Sequence, residues 1–126
     1  MKYALTSTHA TITRAAAESS SGQATGADRT AEFVTFRLKD GISNADFVQA
    51  ASAIGAYLRN SGNVISRSLS RDDDGLWTDH IVWISMSSAK ATATEVMQQP
   101  AFGKMADMID PDSMNLRYGA ILMQMD

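Results

Sequence analysis

Asp79 and His80 are neighbours in the run Trp77-Thr78-Asp79-His80-Ile81-Val82-Trp83, which is otherwise largely apolar. A carboxylate or imidazole in such surroundings is a candidate for proton transfer, because burial perturbs its pKa and a general base works best near neutrality. In a strand, successive side chains point to opposite faces. Asp79 then shares a face with Trp77, Ile81 and Trp83, while His80 shares the other with Thr78 and Val82. The two are therefore separate candidates for catalysis. A one-residue slip would exchange the faces and give His80 the place of Asp79.

Around them stand residues that could hold a ligand. Trp77 and Trp83 could wall a pocket for a flat aromatic molecule, or simply fill space. Arg67, on the preceding run, is the natural partner of Asp79, in a structural ion pair or as a substrate anchor. Arg37, Arg67, Arg71 and Arg117 occupy strand positions of similar mixed character; together they could clamp an anion, or each could lie in water at the rim. Tyr118 could donate a hydrogen bond to a ligand or serve as core. His80 among Ser66, Ser68 and Thr78 also suits a hydrogen-bonded structural histidine.

Other chemistries lack their residues. The chain has no cysteine, so disulfides, thiolate catalysis and Cys-ligated metals are excluded. Asp72-Asp73-Asp74 lacks the ligand spacing and closing Glu of a calcium loop and reads as a solvated turn. The six methionines after residue 96 have no Cys or His beside them and read as adaptable packing. No metal site and no cofactor are expected.

The elements that must position these residues follow from pattern. Asp74-Gly75 between two β-rich runs marks a hairpin, with strands over residues 64–71 and 76–85. With Gly75 as a bulge residue, Ile65, Arg67 and Leu69 join Trp77, Asp79, Ile81 and Trp83 on one large face. A first strand covers residues 32–38, with Val34, Phe36 and Leu38 as its apolar face. Ser43 caps a helix whose Phe47, Ala51, Ile54 and Leu58 recur at helical spacing, and Gly62 ends it in a left-handed turn. Gly55 weakens that helix by roughly 1 kcal/mol, which suggests close packing on the sheet. Ser87 or Ser88 caps a second helix with Ala89, Ala93, Val96 and Met97 inward. Pro100 breaks it, a short helix runs to Ile109, and residues 114–124 form the last strand.

The order β-α-β-β-α-β predicts an α+β, ferredoxin-like fold with a four-stranded antiparallel sheet and helices on one face. Both sheet faces carry apolar area, and one copy covers only one of them; this argues for a homodimer. Residues 1–30 are Thr-, Ser- and Gly-rich and read as an arm or linker, with an extra edge strand as the alternative. The arm could also add to a partner's sheet edge. The domain proper spans residues 31–126.

A net charge of −3 favours neither nucleic acid nor an anionic membrane. No run has the length of a transmembrane helix, and the start is too polar for a signal peptide, so a soluble cytoplasmic protein is expected.

The hairpin with its Asp-Gly turn, the strand ending Trp83-Ile84-Ser85, the following Ser-Ala-Lys-Ala helix and the Gln99-Pro100-Ala101-Phe102 break resemble the dimeric α/β-barrel proteins, and among them the antibiotic biosynthesis monooxygenase-like domains. The resemblance covers about residues 31–125. It implies a dimeric barrel and a pocket lined by Trp83, and it brings no complete catalytic set. In the haem-degrading branch of that family a helical His holds iron; neither His9 nor His80 is on a predicted helix, so haem is not expected. The resemblance points to a small-molecule pocket protein that oxidises an aromatic or polyketide-like compound without a cofactor. The alternative is a non-catalytic dimer, a ligand-binding, structural or regulatory module with a filled barrel. An open space touching Trp83 and Asp79 favours the first; a plug of Trp77, Trp83 and Met side chains favours the second.

Overall fold

The computed structural model describes residues 28–125. The arm expected over residues 1–30 lies almost wholly outside them. Four strands, β1 (Thr30–Phe36), β2 (Val64–Arg71), β3 (Trp77–Trp83) and β4 (Asn115–Ala120), form one antiparallel sheet in the order β2-β3-β1-β4. Helices α1 (Asn44–Asn60), α2 (Met86–Val96) and α3 (Pro100–Ala106) supply the rest of the core. This is the ferredoxin-like α+β arrangement expected from the element order.

Local chemistry sets the element ends. The Ser43 side chain accepts from the Asp46 N–H to start α1, and Gly62, at φ +74°, follows its end. The buried stripe of α1 is Phe47, Ala51, Ile54 and Leu58. The Asp72 carboxylate accepts from the Asp74 and Leu76 N–H groups, and Gly75 takes φ +89°, so the hairpin closes tightly.

Several boundaries differ from the sequence reading. Helix α2 is capped by Ser85, not Ser87 or Ser88: Ser85 leaves β3 still extended, and its hydroxyl accepts from the Ser88 N–H. Its buried residues are Ala89, Thr92 and Val96, while Met97 is 43% exposed. Strand β1 begins at Thr30 and ends at Phe36; Leu38 makes only an isolated bridge to Ile109. Strand β4 stops at Ala120 rather than near residue 124, because its partner β1 begins opposite it at Thr30.

The irregularity in β2 lies at Val64/Ser66. Val64 pairs with Trp83 and Ser66 with Val82, so Ile65 drops out of the large face and is 39% exposed. The helix-covered face holds Thr30, Glu32, Val34 and Phe36 of β1, Arg67 and Leu69 of β2, and Trp77, Asp79, Ile81 and Trp83 of β3. The two tryptophans thus lie under the chain's own helices. The opposite face is more polar, with Ser66, Ser68, Thr78, His80 and Arg117 beside Phe33 and Val82. Among the described residues, no helix is long and apolar enough to cross a membrane.

Candidate functional site

One row of cross-strand pairs builds the site. Arg67 pairs with Ile81, Ile81 with Glu32, and Glu32 with Tyr118, so these side chains cross the sheet beneath the helices. Asp79 and Trp83 flank Ile81 on β3, two residues to either side, and project to the same face. Above this row lies a cavity of about 120 Å³. Its polar wall is Glu32, Arg67, Asp79, Trp83 and Tyr118; apolar side chains including Val34, Leu58, Val96, Phe102, Met105 and Leu116 form the rest. A cavity of roughly 150 Å³ holds a benzene ring, so this space suits a ligand of about one ring.

Glu32 is the residue the sequence reading passed over. Its carboxylate accepts from the Trp83 indole Nε1–H at 2.8 Å. Burial pushes its pKa up from 4.5 to about 7, the Trp83 hydrogen bond opposing the rise and the nearby Asp79 charge adding to it. The signal was present in the sequence: the period of two places Glu32 with Val34 and Phe36 on an apolar face, the same anomaly that singled out Asp79.

Asp79 and Arg67 form a fork-to-fork pair. Arg67 Nε donates to Asp79 Oδ1 at 2.9 Å and Nη2 to Oδ2 at 2.7 Å. Arg67 Nη1 also donates to the Ala51 carbonyl of α1 at 2.9 Å, tying helix to sheet. This positive charge is largely committed within the protein, and among the described residues no other cation lines the cavity. Burial holds the Tyr118 phenol well above its ordinary pKa, with the Glu32 charge adding to the effect. Tyr118 therefore stays protonated as a hydrogen-bond donor.

Of the residues singled out from sequence, Asp79, Arg67, Trp83 and Tyr118 line this one cavity, and Trp77, Arg37 and His80 do not. Trp77 packs on Phe36 and Phe47, with ring centroids 6.4 Å and 5.0 Å away. Arg37 is exposed and donates to the Asp74 carbonyl in the hairpin turn. His80 lies on the opposite face, stacked on Phe33 at 4.5 Å. The four arginines do not form one anion clamp: Arg37 and Arg71 are at the turn, Arg67 is under the helices, and Arg117 lies over Phe33. Among the described residues no group of three or more His, Asp or Glu could hold a metal ion.

No protein-family model and no curated protein matches the sequence. Solved structures do match the fold. A mutant of SnoaB, a cofactor-independent oxygenase from Streptomyces nogalater, superposes with a TM-score of 0.66 at 12% identity, covering 78% of this chain and 97% of that one. A protein from Chloroflexus aurantiacus described as an antibiotic biosynthesis monooxygenase gives a TM-score of 0.61 at 16% identity, over 78% and 97% of the two chains. The hydroxynitrile lyase of Passiflora edulis gives 0.54 at 14% identity, over 79% and 99%. The chain thus shares the ferredoxin-like α+β fold of these proteins. Proteins with different chemistries share it, so the fold alone does not select a reaction.

Proposed function

We propose that the protein binds a small, neutral, electron-rich aromatic compound, such as a phenol or hydroquinone, and oxidises it with molecular oxygen without a cofactor. The observation that carries this reading is Glu32: a half-buried residue in the wall of a ligand-sized cavity whose carboxylate has its pKa pushed up to about 7, with Tyr118 opposite it in the same strand pair. A base of that pKa is matched to proton abstraction at neutral pH. Because the Arg67 charge is balanced by Asp79, the site favours a neutral ligand that loses its proton only after binding.

Glu32 takes a proton from an acidic O–H or C–H of the substrate, and the Tyr118 hydroxyl donates to the oxyanion that results. The substrate anion is the reductant and oxygen the oxidant. For a hydroquinone, the anion passes two electrons to O2 as the second O–H proton leaves, so that hydroquinone and O2 become quinone and H2O2. Trp83 fixes the Glu32 carboxylate, and the Arg67–Asp79 pair holds α1 over the cavity.

The protein would act as a homodimer with the Phe33–His80 face of the sheet between copies. Its place in a cytoplasm is part of the same reading. Oxygen uptake with single-ring hydroquinones tests the chemistry, comparing the native chain with Glu32→Gln. The expected result is turnover that falls at least 100-fold in the variant. Equal rates would sink it, and ring binding without oxygen consumption would favour the non-catalytic, ligand-binding reading.

A further inference from the structure

Packing accounts for only part of the six methionines after residue 96. Three of them, Met97, Met105 and Met114, line the cavity above Glu32. Met105 is 8% exposed and belongs to the core, and Met114 is half-buried. Met97 differs, because it lines the same cavity and is 43% exposed. It follows Val96 as the C-cap of α2, just before Pro100 opens α3. Ala93 and Val96 of α2 and Phe102 of α3 line the cavity with it. Met97 therefore belongs to the cavity wall and to the outer surface at once.

The oxidation proposed above forms hydrogen peroxide in this cavity. Cysteine thiolates and methionine thioethers are the side chains that such an oxidant converts stepwise. The chain has no cysteine, which leaves the thioethers. The sulfur attacks one peroxide oxygen and the O–O bond breaks. That oxygen stays on sulfur as the sulfoxide, and the other leaves with both protons as water. Sulfur loses two electrons and the peroxide gains them. A flexible apolar side chain becomes a polar, chiral one.

We propose that Met97 is where peroxide made in the cavity acts back on the protein: its conversion to the sulfoxide weakens binding of the aromatic substrate and slows further turnover. The proposed function supplies the peroxide; the effect of the sulfoxide on binding stands apart from it. A sulfoxide kept in the wall sets a polar oxygen against an apolar ring. One turned to water takes its contact away from the ring. The fold itself is spared, because Met97 is already partly solvated, whereas the same change at Met105 would put a polar group into the core cluster. Methionine sulfoxide reductases restore the thioether, with thiols as reductant, so the site can return to its starting state.

Peroxide added to the full chain tests the binding effect without turnover, at a dose that leaves Met105 reduced. Phenol is the probe of the cavity, its affinity read from tryptophan fluorescence, and sulfoxides are mapped by mass spectrometry. Met123 and Met125, 82% and 87% exposed, report the dose in the same chain. Saturating phenol is expected to slow oxidation of Met97 at least fivefold and to leave Met123 and Met125 unaffected. Phenol affinity should fall at least tenfold after oxidation of the native chain and recover with the reductases. In Met97→Leu it should stay within twofold of that variant's own value before peroxide. Oxidation of Met97 that phenol does not slow, no loss of affinity, or an equal loss in Met97→Leu each overturns the proposal and leaves the proposed function standing. Turnover of a single-ring hydroquinone should oxidise Met97 ahead of Met123 even with catalase in solution, because the peroxide forms beside it; the reverse order overturns the feedback. Peroxide sensitivity at Met97 in a chain that makes no peroxide from hydroquinone overturns the proposed function and the feedback with it. Phenol that does not bind overturns both as well.

Discussion

The Trp83 indole N–H donates to Glu32 Oε1 at 2.8 Å, diagonally across the β1–β3 ladder. This bond stabilises the ionised carboxylate, yet burial outweighs it and the pKa settles at about 7. The pair gives the cavity a base that is half-ionised at neutral pH, and it couples that base to a fluorescent side chain.

Glu32 should make the fold pH-sensitive. Its folded pKa, about 7, lies above the unfolded 4.5, so the folded state holds its proton more tightly. The contribution to stability is fully present below pH 4.5 and is lost as pH rises to about 7. The rise from 4.5 to about 7 bounds the loss at roughly 3 kcal/mol. Urea unfolding between pH 4 and pH 8 should show this decline in the native chain and a much flatter profile in Glu32→Gln, which keeps an oxygen for the Trp83 N–H.

Turnover should follow the ionised form. The rate is expected to rise with pH through a midpoint near 7. In Trp83→Phe, which removes a hydrogen bond that favours the carboxylate, the midpoint should move upward by about one unit, the equivalent of a bond of roughly 1 to 1.5 kcal/mol. A midpoint unmoved in that variant would detach Trp83 from the acid–base step.

Much of this site was legible before any coordinates. The period of two put Asp79, Ile81 and Trp83 on one face and His80 on the other, and it paired Arg67 with Asp79. Glu32 has the same parity as Val34 and Phe36, but attention to the apolar members of the strand hid it. Other features depend on tertiary context. Nothing in the run Val64-Ile65-Ser66 signals that Ile65 leaves the ladder; the pairing with β3 decides it. The cap of α2 falls on Ser85 among three serines because of where β3 ends. The place of Arg37 follows from the hairpin turn, whose Asp74 carbonyl it reaches.

The Arg67–Asp79 pair is mostly buried, with side chains 16% and 11% exposed. Removing one partner strands the other charge, so Asp79→Ala or Arg67→Ala should each cost about 3 to 5 kcal/mol. The double variant Arg67→Ala, Asp79→Ala should cost clearly less than the two losses together. Guanidinium unfolding of the four chains in a double-mutant cycle measures the difference. Additive losses would mean the two side chains act independently despite their geometry.

Tyr118→Phe isolates the hydroxyl opposite Glu32. The ring remains, so the melting temperature should change little. Loss of a donor to a developing oxyanion should lower kcat by about 100-fold or more, with a smaller effect on KM. A change confined to KM would recast Tyr118 as a residue that positions the ring before reaction.

The outer face of the sheet offers the opposite test. His80, Phe33 and Arg117 are consecutive in one cross-strand row, with Phe33 stacked on His80 at 4.5 Å and the Arg117 guanidinium carbon 4.3 Å from its centroid. Phe33 is flanked by aromatic and cationic neighbours on a face that no helix among the described residues covers. That arrangement suits a contact with a second copy better than chemistry in a cavity on the other side of the sheet. Phe33→Ala is expected to raise the dimer dissociation constant at least tenfold in sedimentation, while His80→Ala leaves the pH–rate midpoint where Glu32 sets it. A His80→Ala chain that lost turnover while remaining dimeric would move the acid–base step to the outer face and away from Glu32.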